Sequence, residues 1–549
     1  MTPNRPNPTP APRRLQLPRG AALELAAVVA LVGLGLYHWP GLTGAPTPQD
    51  HLLDGMDAGE WADQARAYAG GRYAALDGHR MPTWTILAGL VGNIGVPEAG
   101  HLMNHLLQVA LAPIVYGLGR AWGMGRGTSL LAGAVVAANA VLVLASRRYG
   151  VDPTVTTLVP LCLLAAHLVR LRWWLGPVAG GVAALATASH FTTLPYPVPA
   201  ALTVLLVARP AERFPALLSF LAGLSLAWGA IFLVFPWIGV NTLLLSVAES
   251  ASHEAAGVPG TPGWERILGA AVVAVRQDLP GAAAEYASRM HAVAPPALVT
   301  FLLAGLGATG VGLGAAHTGR RARRNRGVPE PTGPAPWAAG VVLLSALAPV
   351  PVLLAMHAAP RYSDNLLPIA ILLVVRGVAA AATLIDGALP RSWPRALAGR
   401  SDAILGVISS FWAVAATAPG IPTASLEGAV VDQEVGALLA EHAPPGSCVV
   451  SPMRDAVAYT DLRFVRLACP ASPTEPAFRA CLSGLAWQCP DQTTLTWLVL
   501  ERTPLDERTV AKKAMDEWAR RSYPVLGEHR TRTTHVSLIE LPFEVEAPP

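Results

Sequence analysis

The stretch "LLDGMDAGEWADQARAYAGGRYAALDGHRMPTW" (52–84) holds Asp54, Asp57, Glu60, Asp63, Asp77, His79 and Arg80, yet it lies in a chain that is otherwise poor in charge. Just before it stands "AALELAAVVALVGLGLYHW" (21–39), a run of 19 residues. After it, apolar runs recur over most of the length. Of the 549 residues 52% are hydrophobic and 14% charged, against the roughly 25% charged residues of a soluble domain. With a mean hydropathy of +0.41, this is the composition of a polytopic membrane protein. The acidic stretch is therefore a loop between spans, and its side of the membrane decides what it can do.

Apolar runs near 21–39, 100–119, 128–146, 154–171, 175–191, 194–208, 214–238, 293–315, 337–356, 364–386 and 403–420 predict about eleven transmembrane helices. The arginines assign their direction. Arg13, Arg14 and Arg19 precede the first run, which lacks a small-residue cleavage site and reads as an uncleaved anchor. Arg120 and Arg126, Arg170 and Arg172, Arg209 and Arg213, "GRRARRNRG" (319–327) and "PRSWPRALAGR" (390–400) all fall in alternate loops. The positive-inside rule places these loops and the Pro/Arg-rich segment 1–20 in the cytoplasm. The transmembrane region is then 21–420, with a first outer loop over 40–99 and a long outer loop over 239–291. The net charge is only +4 and the arginines sit at the ends of apolar runs, so no basic face for nucleic acid exists.

From 421 to 549 the pattern changes. Strand-like "SCVVSP" (447–452), "LTWLVLE" (495–501) and "THVSLIELPF" (534–543) alternate with the helical patterns "VVDQEVGALLAEHA" (430–443) and "DERTVAKKAMDEWARR" (506–521). This predicts a small α/β domain, which an odd number of spans puts outside the cytoplasm. Four of the five cysteines, Cys448, Cys469, Cys481 and Cys489, lie in it, and an even set in such a compartment favours disulfides. A four-cysteine zinc site is the rival, but it lacks the C-x-x-C pairs such sites use.

The acidic loop has a purely structural explanation. "DAGE" (57–60) resembles a capping box, and Trp61, Ala65 and Tyr68 then follow at helical spacing as one face of a short interfacial helix. Three features point further. "TWTILAGLVGNIGV" (83–96) is too short to span and predicts a re-entrant element. Arg80, Arg147, Arg148 and Arg361 lie in short outer loops, against the topological rule, with Tyr149 and Tyr362 beside two of them. Carboxylates and guanidiniums on one membrane surface are what a lipid-phosphate-linked substrate requires.

The segment "DGMDAGEWADQARAYAGGRY…HRMPTWTILAGL" resembles the first outer loop of the GT-C superfamily of glycosyltransferases that use polyprenyl-phosphate-linked sugars. The "DAGE" spelling is similar to bacterial protein O-mannosyltransferase-like members, the glycosyltransferase family 39-like group. "LGRAWG" (118–123), "ASRRYGVDP" (145–153) and "APRYSDNLLP" (359–368) extend the likeness over roughly residues 20–390. The chain departs from that pattern twice: the adjacent Asp-Glu pair is split into Asp57 and Glu60, and the paired prolines shrink to Met81-Pro82.

The resemblance implies an integral glycosyltransferase of the bacterial inner membrane that inverts at the anomeric carbon. It implies Asp57 as the base toward an acceptor hydroxyl, because Asp57 falls where the family's Asp falls. Glu60 stands one turn on as its companion and Asp54 in reserve. Arg80, Arg361 with Tyr362, and Arg148 are candidates for the phosphate, and Asp152 is a further acid in the second outer loop. The partners implied are a polyprenyl-phosphate-sugar donor and a lipid, polysaccharide or protein acceptor. No cofactor is expected; a divalent metal on the carboxylates is the less favoured option. His51, His79, His101 and His105 make no metal-ligand pattern, although the last two are four apart. The alternative is a transporter or flippase for lipid-linked sugars, against which stand the lack of an internal repeat and the gathering of charge at one surface. A non-catalytic scaffold for the C-terminal domain leaves the acidic loop without a purpose.

Overall fold

The computed structural model describes residues 19–37, 61, 64, 65, 67–71, 81–91, 98–147, 150–234, 342, 345 and 366–388 of the membrane region. In the tail it describes 434–443, 448–451, 460, 462–466, 476, 496–502, 519–530 and 535–541. The expected long outer loop 239–291, the expected spans 293–315 and 403–420, and most of 1–20 lie outside the described residues.

Ten helices are defined in this set: α1 (Arg19–Tyr37), α2 (Pro82–Leu90), α3 (Glu98–Ala121), α4 (Arg126–Ala138), α5 (Ala140–Arg147), α6 (Asp152–Leu168), α7 (Gly176–Thr187), α8 (Pro197–Val207), α9 (Arg213–Val234) and α10 (Leu367–Ala388). Among the described residues, Gly100–Ala121 and Pro210–Val234 are long and apolar enough to cross a bilayer, and α4 with α5 makes a third such segment if the bent pair is one span. α7 and α8 come out shorter than the apolar runs that predicted them: 3-10 turns at Trp173–Leu175 and Phe191–Thr193 take up the ends of the first run, and residues 194–196 of the second form a turn.

The run 128–146, expected as one span, is broken by Asn139 into α4 and α5, bent by 49°. Asn139 leaves α4 in an extended conformation at ψ 119°, and its side-chain Oδ1 accepts from the backbone N–H of Val141 (3.1 Å) and Leu142 (3.3 Å). It is thus the N-cap of α5, buried to 1% exposure where no water can replace it. Asn139→Ala frees both N–H groups and is expected to cost about 1–2 kcal/mol. A thermal unfolding midpoint in detergent several degrees below wild type checks this.

The residues of α10 from Leu367 to Val375 are buried all round, which places this helix at the centre of the bundle against α3, α4 and α6. The buried run stops at Arg376, whose Nη1 donates to the Trp122 carbonyl (2.8 Å) in the turn between α3 and α4. That turn belongs to the arginine-rich end of the bundle. There Glu24 of α1 accepts from Arg120 (3.1 Å) and Arg126 (2.8 Å), and Tyr116 donates to the same carboxylate. One acid thereby ties α1 to α3 and α4 and offsets part of the local positive charge.

α7 and α9 pack through small residues. A Cβ on Gly180 would collide with the backbone of Phe220 and Leu224, and one on Gly223 with the backbone of Pro177. Close backbone approach of this kind is how helices associate where water exclusion supplies no drive.

In the tail, β1 (Cys448–Ser451), β2 (Arg463–Arg466), β3 (Thr496–Arg502), β4 (Val525–Arg530) and β5 (His535–Leu541) form one sheet in the order β2-β1-β3-β5-β4. β1 pairs parallel with β2 and β3, with Val449 opposite Phe464 and Trp497. β5 pairs antiparallel with β3 and β4, and a bulge lies between Val525 and Gly527. The helical residues 434–442 cover one face: Val435 and Leu439 bury with Val449, Val536 and Leu538. β1, β3 and β5 are the strands the alternation predicts, whereas β2 and β4 are not.

Candidate functional site

Of the sequence-predicted site residues, Asp152 is described; Asp54, Asp57, Glu60, Arg80, Arg148, Arg361 and Tyr362 lie outside the described residues. Cys448 opens β1, and Cys469, Cys481 and Cys489 also lie outside them. The geometry that can be stated is that of Asp152 and of the described residues next to the others in sequence.

Asp152 begins α6. It stands in the first turn ahead of Pro153, its main-chain carbonyl accepts from the Thr156 hydroxyl (3.0 Å), and it is partly exposed. The helix dipole favours a carboxylate at that position, and proline is tolerated there because the first N–H groups have no helical partner.

Trp61, the residue after Glu60, is buried to 3% exposure and meets the Trp84 indole edge-on, with centroids 5.4 Å apart and planes at 65°. A Cβ on Gly150 would lie 3.8 Å from Trp61 Cδ1. The stem of the acidic loop thus touches the segment between Arg147 and Asp152. Trp61 is a core residue of the bundle, where the sequence predicts an interfacial anchor. Met81, the residue after Arg80, is buried, and Thr83 holds α2 to the end of α7 by its N–H to the Ala188 carbonyl (3.1 Å) and its hydroxyl to the Leu185 carbonyl (2.9 Å). Tyr68 packs so close to α2 that any Cβ at Gly89 would enter its ring. His190, next in the same corner, accepts the Thr192 N–H at Nδ1 (3.4 Å) and closes a 3-10 turn. The stems of the acidic loop and of the Arg80 and Arg148 segments therefore meet Asp152 at one end of the bundle, opposite Glu24.

Sequence reasoning noted His101 and His105 four apart but passed over the polar stripe they belong to, which lies beneath this corner. His101, Asn104, His105 and Gln108 recur at i, i+3, i+4 and i+7 along the first turns of α3, and all are buried. Trp84 Nε1 donates to Asn104 Oδ1 (3.1 Å), and the Thr157 hydroxyl donates to the Leu107 carbonyl (3.2 Å), joining α6 to α3. Gln64 is buried one turn on from Trp61. A four-residue polar stripe inside an apolar helix was the available signal, because polar side chains at membrane depth are retained for function or for contacts between helices. Among the described residues no three His, Cys, Asp or Glu side chains sit together as metal ligands.

No protein-family model and no curated protein matches the chain. Solved structures do. The Archaeoglobus fulgidus oligosaccharyltransferase tethered to an acceptor peptide containing the NVT sequon aligns over 96% of this chain and 74% of its own, at 11% identity and a TM-score of 0.50. ArnT from Cupriavidus metallidurans bound to undecaprenyl phosphate aligns over 94% and 98%, at 11% identity and a TM-score of 0.49. Oligosaccharyltransferase AglB from Archaeoglobus fulgidus, in complex with an inhibitory peptide and a dolichol-phosphate, aligns over 88% and 70%, at 11% identity and a TM-score of 0.47. At this identity the likeness is one of fold alone, carried by the first of these structures at a TM-score of 0.50.

Proposed function

We propose that this GT-C-fold chain is a membrane glycosyltransferase that moves a sugar from a polyprenyl phosphate to an acceptor hydroxyl. One observation carries the reading: Trp61, Gly150, Thr83 and Asp152 bring the stems of the acidic loop and of two arginine-bearing segments to a single corner of the bundle. A capped helix explains the acids of that loop. It does not explain why arginines gather where the topological rule disfavours them.

In this reading the acceptor oxygen attacks the anomeric carbon from the side opposite the lipid phosphate. A carbon–oxygen bond forms, the bond to the phosphate oxygen breaks, and the configuration inverts. Asp57 takes the hydroxyl proton as the bond forms, with Glu60 beside it and Asp54 in reserve. The polyprenyl phosphate departs without a proton, and Arg80, Arg361 and Arg148 balance its charge through the planar guanidinium fork, with Tyr362 next to Arg361. Asp152 orients the acceptor or pairs with an arginine.

The N-terminus belongs in the cytoplasm of a bacterial inner membrane, and the corner and the C-terminal α/β domain belong on the periplasmic face. There Cys448, Cys469, Cys481 and Cys489 pair as disulfides. The acceptor is a lipid, a polysaccharide or a protein.

Turnover of radiolabelled undecaprenyl-phosphate-mannose, -glucose and -arabinose in membranes carrying the protein tests the reading. Label must leave the donor in proportion to the protein present. If no donor is consumed while lipid-linked sugar still crosses the bilayer in reconstituted vesicles, the chain is a flippase and the transferase reading falls.

A further inference from the structure

In the C-terminal sheet the order β2-β1-β3-β5-β4 puts β2 on one side of β1 and β3 on the other. β1 pairs parallel with both, so the carboxyl ends of all three strands lie at one end of the sheet. β5 runs antiparallel to β3 and to β4, so β5 begins and β4 finishes at that same end. In open sheets of this kind a ligand crevice opens outside the carboxyl ends of the strands where the strand order reverses, here between β1 and β3.

The chemistry of this end is basic. β1 closes on Ser451, β2 on Arg466, β3 on Arg502 and β4 on Arg530, and β5 opens on His535. The opposite end, formed by Cys448, Arg463, Thr496, Val525 and Leu541, has a single arginine. Register sharpens the grouping. Arg502 is paired with His535, and His535 with Arg530. Paired residues share a face, so these three form a row across adjacent strands, about 10 Å from first to last. Val536 buries with Val435 and Leu439, so alternation puts the row on the face away from helix residues 434–442. Ser451 and Arg466, also paired, fall on the helix-covered face with Val449. Basic positions thus flank the β1–β3 crevice from both faces.

Like charges on neighbouring strands repel. Glu528, paired with Ser537 two residues in from the row, can balance one arginine but not the set. A bound anion offsets the remainder. The planar guanidinium fork suits carboxylate and phosphate alike. A carboxylate offers two oxygens in one plane, whereas a phosphate offers oxygens in several directions and can take forks from more than one strand.

We infer that this end of the C-terminal sheet is a phosphate-binding site centred on Arg502, for a phosphate ester carried by a soluble molecule or by a lipid headgroup. The inference does not depend on the transferase reading.

The test follows hydrogen exchange at the strand ends of the full chain in dodecyl maltoside, a detergent without phosphate. Inorganic phosphate and glucose 1-phosphate are titrated, with glucose as the control; micelles doped with phosphatidylglycerol are compared with micelles doped with diacylglycerol. A phosphate-bearing probe slows exchange at the peptides holding Arg466, Arg502 and Arg530, and its phosphate-free control does not. Arg502→Gln weakens the apparent affinity about 10-fold or more, the worth of a charge-assisted hydrogen bond, and Arg466→Gln and Arg530→Gln weaken it less. Added NaCl weakens it in every case. Thermal midpoints of the variants stay level or rise, because a like charge has been removed; should Arg502→Gln fail to fold, Arg530→Gln on the edge strand carries the test. Protection by the soluble esters assigns a soluble ligand, and protection by phosphatidylglycerol alone assigns a headgroup; either supports the site. No protection by any of the three phosphate probes, or protection equal in wild type and in every folded variant, overturns it.

Discussion

Asp57→Asn is expected to lower sugar transfer about 100- to 10,000-fold, the range that a positioned general base contributes. The choice of asparagine separates two roles for one residue. Asparagine caps a helix N-terminus about as well as aspartate does, so a cap at position 57, as the sequence suggests, survives the substitution. What is lost is the capacity to take up a proton as the acceptor oxygen attacks. Radiolabelled donor turnover, normalised to folded protein, provides the measurement, with the thermal midpoint as a control for folding. Donor KM should change little, because the base acts on the acceptor. Transfer at the wild-type rate by Asp57→Asn removes Asp57 as the base. Glu60→Gln in the same assay then shows whether its companion serves instead.

The second large effect is structural. Gly180→Leu places a side chain into the backbone of Phe220 and Leu224, and the Gly223 side of the contact is closed by Pro177. Neither partner is the flexible end of a side chain, so α7 and α9 must move apart along their whole crossing. Buried contacts of Ala179, Ala183 and Phe220 are then lost together. Overpacking at well-packed sites costs about 1–3 kcal/mol, and forced separation of two helices belongs at the top of that range or beyond it. Little monodisperse protein after detergent extraction is the expected result, measured by fluorescence-detected size exclusion. A midpoint within two degrees of wild type would show that the two helices do not need this approach.

Much of the helical layout was legible because the bilayer allows so few solutions. An apolar run near 20 residues flanked by arginines has few readings besides a helix with a known direction. α1, α3, α6, α9 and α10 therefore stand close to where the hydropathy puts them. The break at Asn139 was not read, since one asparagine in "AANAVLVLA" hardly alters hydropathy; its effect comes from an Oδ1 that can hold two N–H groups. β2 ("RFVR") and β4 ("VLGEHR") escaped for a similar reason. Each is short and flanked by charge, and becomes a strand only because β1 and β5 offer an edge to pair with.

In the site, counting arginines at span ends assigned the acids and arginines to one set of loops as an expectation, and left their depth open. The sequence by itself determined the membrane class and three of the five strands, because both rest on local periodicity. Tertiary structure alone decided that Trp61 is a core residue, that Gly150 lies against it, and that the Thr157 hydroxyl reaches the Leu107 carbonyl. The partners in these contacts are separated by 50 or more positions, and no local propensity carries such information. The crossing of α3 with α6 supplies it, through side-chain packing and one hydroxyl-to-carbonyl bond.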